Sequence, residues 1–286
     1  MEKSGFMPPH AAGLILIVAV ITAASWMAQG ILDGGQEEMK IEPALIERMV
    51  GGDEEIPVIA IFQEGALPTL DGLSVDRTFH LIDGAAITAS PEEIRGLAQR
   101  QDIKRVYLDG IVQVAAPLGQ GNGQSRLVCP SIAVNADRLW AEGLDGSGVT
   151  VAVLDSGIDK NHPDLTGKVV GEVNFVKGEE TTRDLLGHGT LCAGIIAGSG
   201  AASGGKYRGV APGATLLNVR VIDSTGNGKP SDIIAGIEWA LDNGADVLSL
   251  SLGGTSLGET NPPVTMAADN AMESGVVVCV SAGNNG

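Results

Sequence analysis

Aromatic residues are scarce in this sequence. Tryptophan, tyrosine and phenylalanine make up 3% of its 286 residues, against 41 glycines. That balance points to a fold rich in small-residue turns and close backbone approaches. Cysteine is scarcer still. Cys129, Cys192 and Cys279 are the only three, and an odd count cannot complete a disulfide framework. Cys192 and Cys279 lie inside apolar runs and read as small buried hydrophobes. Positive charge is also short: 18 Lys and Arg stand against 35 Asp and Glu, a formal net charge of -17. This argues against nucleic acid as a partner and against binding anionic lipid by charge alone, and it suits an exported, soluble surface. A glycine-rich loop joining a strand to a helix is missing as well. GSGAAS (198–203) imitates one but follows a helix pattern, so a nucleotide-binding α/β protein is disfavoured. What is present suffices for a core of one large domain or two smaller ones: 44% of residues are hydrophobic and 19% charged, a composition unlike that of a disordered chain.

An apolar block, AAGLILIVAVITAA (11–24), follows Lys3, and no charged residue appears until Asp33. It has the form of a signal peptide with small-residue cleavage points after Ser25 or Gly30. Uncut, its uncharged stretch is also long enough to span a bilayer. Residues 1–30 are therefore expected to be a signal peptide or N-terminal membrane anchor, and 31–55 a linker.

Residues 56–116 read as a small α+β unit. IPVIAIF is a strand, and GLSVDRTFHLI with GAAITA forms a hairpin around Asp83-Gly84. Ser90-Pro91-Glu92-Glu93 combines an N-cap, a first-turn proline and a capping-box acid, opening a helix to about Arg100. IKRVYLDGIVQV supplies a last strand. Some sixty residues make a small independent fold, so the unit is expected to lean on a partner surface. Residues 117–130 have the composition of an exposed linker, a favoured place for nicking.

From 131 to 286 strands and helices alternate. VTVAVL, LLNVRVI, VLSLSL and VVVCVS have the short apolar runs of strands buried on both faces, with helix patterns at 188–198, 231–243 and 262–274 between them. Ser231 is read as the cap of the second helix and Asn243-Gly244 as its stop. The alternation predicts a parallel sheet covered on both faces, with ligands bound beyond the carboxyl ends of its strands.

Past the first of these strands stands Asp155. A carboxylate there needs a partner, and it either caps the turn with Ser156-Gly157 or meets a histidine. His10 precedes the export segment, His80 belongs to the N-terminal unit, and His162 lies in a polar loop. His188 opens a helix of small residues between Gly187 and Gly189, which let other segments approach closely. An acid at a strand end and a histidine at a following helix start are two parts of an Asp–His–nucleophile relay.

In order along the chain, VTVAVLDSGIDKNHPDL, GHGTLCAGIIAG, VLSLSLGG and VVVCVSAGNNG closely resemble the subtilisin-like serine proteases (the peptidase S8, or subtilase, family) over roughly 145–286. Residues 56–115 more loosely resemble the inhibitory propeptide of those enzymes. Their loop EGALPTLDG leaves little room for the propeptide's usual first helix. The resemblance implies a doubly wound parallel α/β sheet preceded by a small ferredoxin-like α+β propeptide. It implies that Asp155 and His188 are the relay acid and base and that Asn284 donates to the oxyanion. Gly226, Asn227 and Gly228, with Ser251, Leu252 and Gly253, would pair with an extended substrate. Ala282 and Gly283 would line the primary specificity pocket, and Cys192 would pack beneath the histidine. Asp164 matches a calcium-ligand position of some members, but the Asn-rich loop that completes that site is missing.

The family's serine lies in a G-T-S-x-A motif well after the oxyanion asparagine. Gly254-Thr255-Ser256 comes too early to be it. The nucleophile is therefore expected to lie outside these 286 residues, which would make the chain a truncated catalytic segment, inactive as it stands. The expectation is a secreted serine endopeptidase precursor acting on protein and peptide substrates. Its own propeptide would be the inhibitor and a maturation site would lie in 117–130. Its chemistry would need no cofactor, and structural calcium and N-terminal membrane contact stay open. The alternative is a non-catalytic inhibitor or folding assistant with a remnant catalytic domain.

Overall fold

A computed structural model describes residues 40–66, 68–114, 130–253 and 262–283. Its first element, helix α1 (Pro43–Val50), falls in the stretch read above as a linker, and its Leu45 is fully buried. Strand β1 (Ile56–Phe62), the hairpin of β2 (Ser74–Phe79) and β3 (Gly84–Ala89), helix α2 (Pro91–Gln99) and β4 (Ile103–Leu108) follow. The four strands form an antiparallel sheet in the order β2-β3-β1-β4. Ser90 accepts from the Glu93 N–H while the Glu93 carboxylate accepts from the Ser90 N–H, the reciprocal box that the sequence predicts. Asp83 turns the hairpin at φ 42°, a conformation that a short polar side chain tolerates.

The expected last strand of the unit is two strands. β4 ends at Leu108, and β5 (Val112–Val114) leaves the sheet after Asp109-Gly110 to join a different one. The C-terminal part then runs through two short helices, α3 (Pro130–Ala133) and α4 (Ala136–Ala141), to β6 (Thr150–Asp155) and β7 (Val169–Asn174). Helix α5 (His188–Ala197), β8 (Thr215–Arg220), β9 (Asn227–Gly228) and α6 (Pro230–Asp242) come next. The described chain closes with β10 (Val247–Leu250), β11 (Leu252–Gly253), α7 (Pro263–Glu273) and β12 (Val277–Val280). VLSLSL is thus split at Ser251. β7, whose VVGEVN carries a glycine and a glutamate, is the strand that the search for apolar runs missed.

Five strands make a parallel sheet in the order β12-β10-β6-β8-β7. β6 is the switch point of the topology: on one side the chain crosses to the edge strand β7 and returns to β8 beside β6, and on the other it winds outward through β10 and β12. A crevice opens beyond the carboxyl end of such a strand, and Asp155 is the last residue of β6. Both faces are covered, as alternation along β6 shows. Val151 and Val153 pack with Ala193 and Ala197 of α5, whereas Ala152 and Leu154 pack with Ile233, Ile234 and Ile237 of α6. Gly236 lets α6 close on that face, since a Cβ there would stand 2.9 Å from a methyl of Val221. Cys279, expected to be buried, is exposed, because β12 forms the edge of the sheet.

The small antiparallel sheet also has two buried faces. Ile56, Val58 and Ala60 point toward α1 and α2, while Ile59 and Ile61 join Phe79, Ile82 and Tyr107 in one core with α6 and α7. The N-terminal unit therefore uses the larger unit as its second layer, which is how so short a segment acquires a two-sided core. Polar contacts fix the docking. The buried Asp109 carboxylate accepts from the Ser231 N–H at 2.9 Å and from its hydroxyl at 2.7 Å. Glu238 accepts from the His80 and Leu81 N–H groups at 2.7 and 2.8 Å, and the Asn270 amide donates to the Leu81 carbonyl. Ser231 is thus not the cap of α6. It is the second helical residue, and an acid from the other unit satisfies the helix start instead.

Candidate active site

Asp155 is 1% exposed, so its carboxylate is held by partners rather than by water. Oδ1 accepts from the Ser156 N–H at 2.7 Å, and His188 Nδ1 lies 2.8 Å from Oδ1 and 2.9 Å from Oδ2. The pairing, and not merely a cap on the turn, is what occupies this acid. Nδ1 therefore carries the proton donated to the carboxylate, and Nε2 is the ring nitrogen left for proton exchange. The Asp155 carboxylate, followed by the Cys192 thiol at 3.8 Å from Nδ1, raises the imidazole pKa well above its ordinary 6.5. Cys192 is half-buried against the ring, beside the histidine as the resemblance implies, although its apolar run read as fully buried.

Two glycines permit this approach. A Cβ on Gly189 would stand 2.2 Å from the Gly157 carbonyl oxygen and 3.1 Å from the Asp155 Cβ. One on Gly157, at φ 106°, would stand 2.6 Å from the Thr182 oxygen. The helix start and the strand end are in contact because Gly189 has no side chain, and Gly157 in the same way lets the 182–184 segment close on the strand end.

Beside the pair lies a third sheet, β11-β5-β9, with β5 in the middle and antiparallel to both neighbours. Val112 faces Gly228, Gln113 faces Asn227 and Gly253, and Val114 faces Leu252. The Val114 N–H donates to the Gly226 carbonyl at 3.1 Å, and the Gln113 amide donates to Asn227 Oδ1 at 2.9 Å. Gly226, at φ 90°, leaves room for the Val114 side chain, and Leu186, two residues before His188, reaches the same spot. The segments 226–228 and 251–253 are thus brought together around an extended strand of the chain itself, whose Val114 lies near Leu186.

Other candidates fall elsewhere. Asp164 Oδ1 accepts from the Ala202 N–H at 2.7 Å, tying down the loop after α5. Among the described residues Asp164 joins no group of three His, Cys, Asp or Glu side chains close enough to share an ion. Ala282 and Gly283 are exposed past β12, while Asn284, Ser256, Cys129 and His10 lie outside the described residues. His162, expected in a polar loop, is half-buried, its Nδ1 accepting from the Asp164 N–H at 3.2 Å. His80 is exposed beside Glu238. Sequence reasoning missed Asp184, which gathers donors from both sides of the dyad. Its signal is an acid four residues before His188 and a threonine two residues after it. Asp109 was missed too, read only as part of a strand. Among the described residues no helix is long and apolar enough to cross a membrane, and the apolar segment 11–24 lies outside them.

Residues 146–286 match the model of the subtilase family. The serine protease AprX of Bacillus subtilis (strain 168) is 36% identical over 219 residues, covering 73% of this chain and 47% of that protein. That alignment is longer than the family segment and so reaches into the residues before it. Thermitase of Thermoactinomyces vulgaris is 44% identical over 153 residues, 54% of this chain and 53% of its own. A subtilisin of Bacillus pumilus is 46% identical over 154 residues, 54% of each. The chain thus spans about half the length of the curated relatives it matches. A parallel sheet with an Asp–His pair at its switch point lies within the same residues, 146–286, that match the subtilase family model.

Proposed function

We propose that the chain is part of a secreted serine endopeptidase precursor whose N-terminal unit blocks its own substrate cleft. The observation that carries this reading is the pairing of Asp155 with His188 beside two strands that hold an extended segment between them. In the proposed reaction a substrate pairs with β9 and β11 as β5 does, presenting its scissile carbonyl to a seryl hydroxyl at His188 Nε2. Nε2 takes the hydroxyl proton as the oxygen attacks the carbonyl carbon, and Asp155 stabilises the imidazolium that forms. Collapse of the tetrahedral intermediate breaks the C–N bond, and the same proton leaves on the amine. Water, deprotonated by His188, then releases the acyl group. The described residues supply the acid and the base of this scheme, and Asn284 is proposed to donate to the oxyanion.

The N-terminal unit is proposed to act as intramolecular inhibitor. The support is its strand β5, which uses the backbone pairing that a substrate would need, and the AprX alignment, which reaches into the residues before the family segment. The same observation favours a second role for that unit, as an inhibitor of other proteases of this type.

Hydrolysis of an extended peptide by the complete gene product is the test. His188→Ala is expected to lower turnover by a factor on the order of 10⁶ without changing the far-ultraviolet spectrum. Wild-type protein without peptidase activity, or an alanine variant as active as wild type, would overturn the proposal.

A further inference from the structure

We propose that Asp184 is a positioning residue of the relay: its carboxylate locks the strand end carrying Asp155 to the helix start carrying His188. The inference rests on the relay reading above but is argued from different contacts. Asp184 itself is 9% exposed, and it hydrogen-bonds neither Asp155 nor His188. It acts through two hydroxyls that cross-stitch the two segments. Ser156, next to Asp155, accepts the N–H of Gly189 from the helix at 3.0 Å. Thr190, from the helix, accepts the N–H of Asp159 from the segment after β6 at 2.9 Å.

A backbone N–H can only donate, so each hydroxyl must accept from it and send its own proton elsewhere. Both protons go to Asp184, one to each oxygen. Ser156 Oγ donates to Oδ1 at 2.8 Å, and Thr190 Oγ1 donates to Oδ2 at 2.6 Å. Three more donors converge there. The Leu186 and Gly187 N–H groups meet Oδ1 at 3.0 and 2.7 Å, and the Thr190 N–H meets Oδ2 at 2.8 Å. Helix α5 has no side-chain cap of its own at Gly187, and this carboxylate satisfies its first turn.

Five donors and no acceptor make the site specific for a carboxylate. An asparagine of the same shape would turn an NH₂ group toward the Thr190 donors or toward those of Leu186 and Gly187. One stitch would open through polarity, with no change of size. Burial pushes the Asp184 carboxyl up, but donation from Thr190, Gly187 and Ser156 outweighs it and holds the group below the ordinary carboxylate range. It therefore stays ionised wherever the dyad works.

The test is ¹⁵N and ¹H NMR of the 286-residue chain, following the His188 titration and its Nδ1 proton. In Asp184→Asn the His188 midpoint is expected to fall by about one pH unit toward the ordinary value, and the Nδ1 proton to exchange about tenfold faster. The resonances of residues 40–114 should stay in place. Thr190→Val should move both readouts in the same direction by less, and Thr190→Ser, which keeps the hydroxyl, should leave them as in wild type. A purely structural carboxylate would lower the unfolding midpoint without moving the imidazole titration of the folded chain. Unchanged His188 readouts in both Asp184→Asn and Thr190→Val would overturn the proposal. If Asp184→Asn does not fold, the valine and serine variants decide, and identical titrations in that pair would overturn it equally. None of these readouts needs peptide hydrolysis. An inactive wild-type protein would count against the protease reading and leave this result standing.

Discussion

Replacing Gly189 by alanine should break the dyad without touching either of its members. The added Cβ would lie 2.2 Å from the Gly157 carbonyl oxygen, where ordinary contact begins near 3.4 Å. That obstacle is backbone, so the first turn of α5 must withdraw by about 1 Å. A withdrawal of that size carries the His188–Asp155 contact from 2.8 Å to roughly 3.8 Å, outside hydrogen-bonding range. The Gly189 N–H, 3.0 Å from Ser156 Oγ, would separate with it. Overpacking of this kind costs about 1–3 kcal/mol, and loss of a charge-assisted bond to a buried carboxylate about 1.5–3 kcal/mol more. Urea unfolding at neutral pH, followed by circular dichroism, should show a loss of about 2.5–6 kcal/mol. The His188 titration should move back toward that of a free imidazole. A variant within about 0.5 kcal/mol of wild type, a change typical of an inconsequential surface substitution, with His188 unmoved would refute the close-contact argument.

Other consequences concern the buried charges. Asp109→Ala should leave the first turn of α6 uncapped at a buried site, costing about 1–3 kcal/mol and raising amide exchange in β5, measured by hydrogen exchange. Asp232 has its carboxyl pushed up to about 6 by burial, against the pull of Arg77. Its folded form holds the proton more tightly than its unfolded form, so the fold loses stability as pH rises from about 4 through about 6. Asp232→Asn should remove that part of the loss, and urea midpoints at pH 4 and pH 7 would measure it. His188 has the opposite chemistry but a similar sign. Its raised pKa contributes stability that is complete below 6.5 and lost as pH rises through about 10, so His188→Gln should flatten the alkaline limb of the stability profile. Arg220 is fully buried and ion-paired with Glu179. Glu179→Ala, which strands that cation, should cost about 3–5 kcal/mol, and Arg220→Met much less, in the same unfolding assay.

Much of this was legible in the sequence because the parallel strands are buried on both faces. VTVAVL and VVVCVS have no charged residue to confuse the reading, and Asp155 stands out as the first charge after its run. Of the glycines that flank His188, Gly189 makes the close approach expected of both, whereas a Cβ on Gly187 would meet nothing within 4 Å and that glycine serves a left-handed φ of 94°. β7 was hidden because VVGEVN mixes a glycine and an acid into a strand beside β8, where Gly171 makes room for Leu217. The role of Ser231 was misread because capping was sought within the local sequence. Its partner, Asp109, lies 122 residues earlier and comes from the other unit. IKRVYLDGIVQV reads as one strand by pattern, but the bend at Asp109-Gly110 sends its end between β9 and β11, a choice made by tertiary pairing. Asp184 could not be seen as a hub from spacing alone, since three of its five donors are backbone groups.

The central claim is that Asp155 holds His188 as the base of a peptide-cleaving relay. It is tested most directly by titrating the ¹⁵N-labelled imidazole in wild-type chain and in Asp155→Asn. A protonated Nδ1 and a midpoint above 6.5 are expected in wild type, with the midpoint falling back toward 6.5 in the variant. An ordinary midpoint in wild type, unchanged by the substitution, would contradict it.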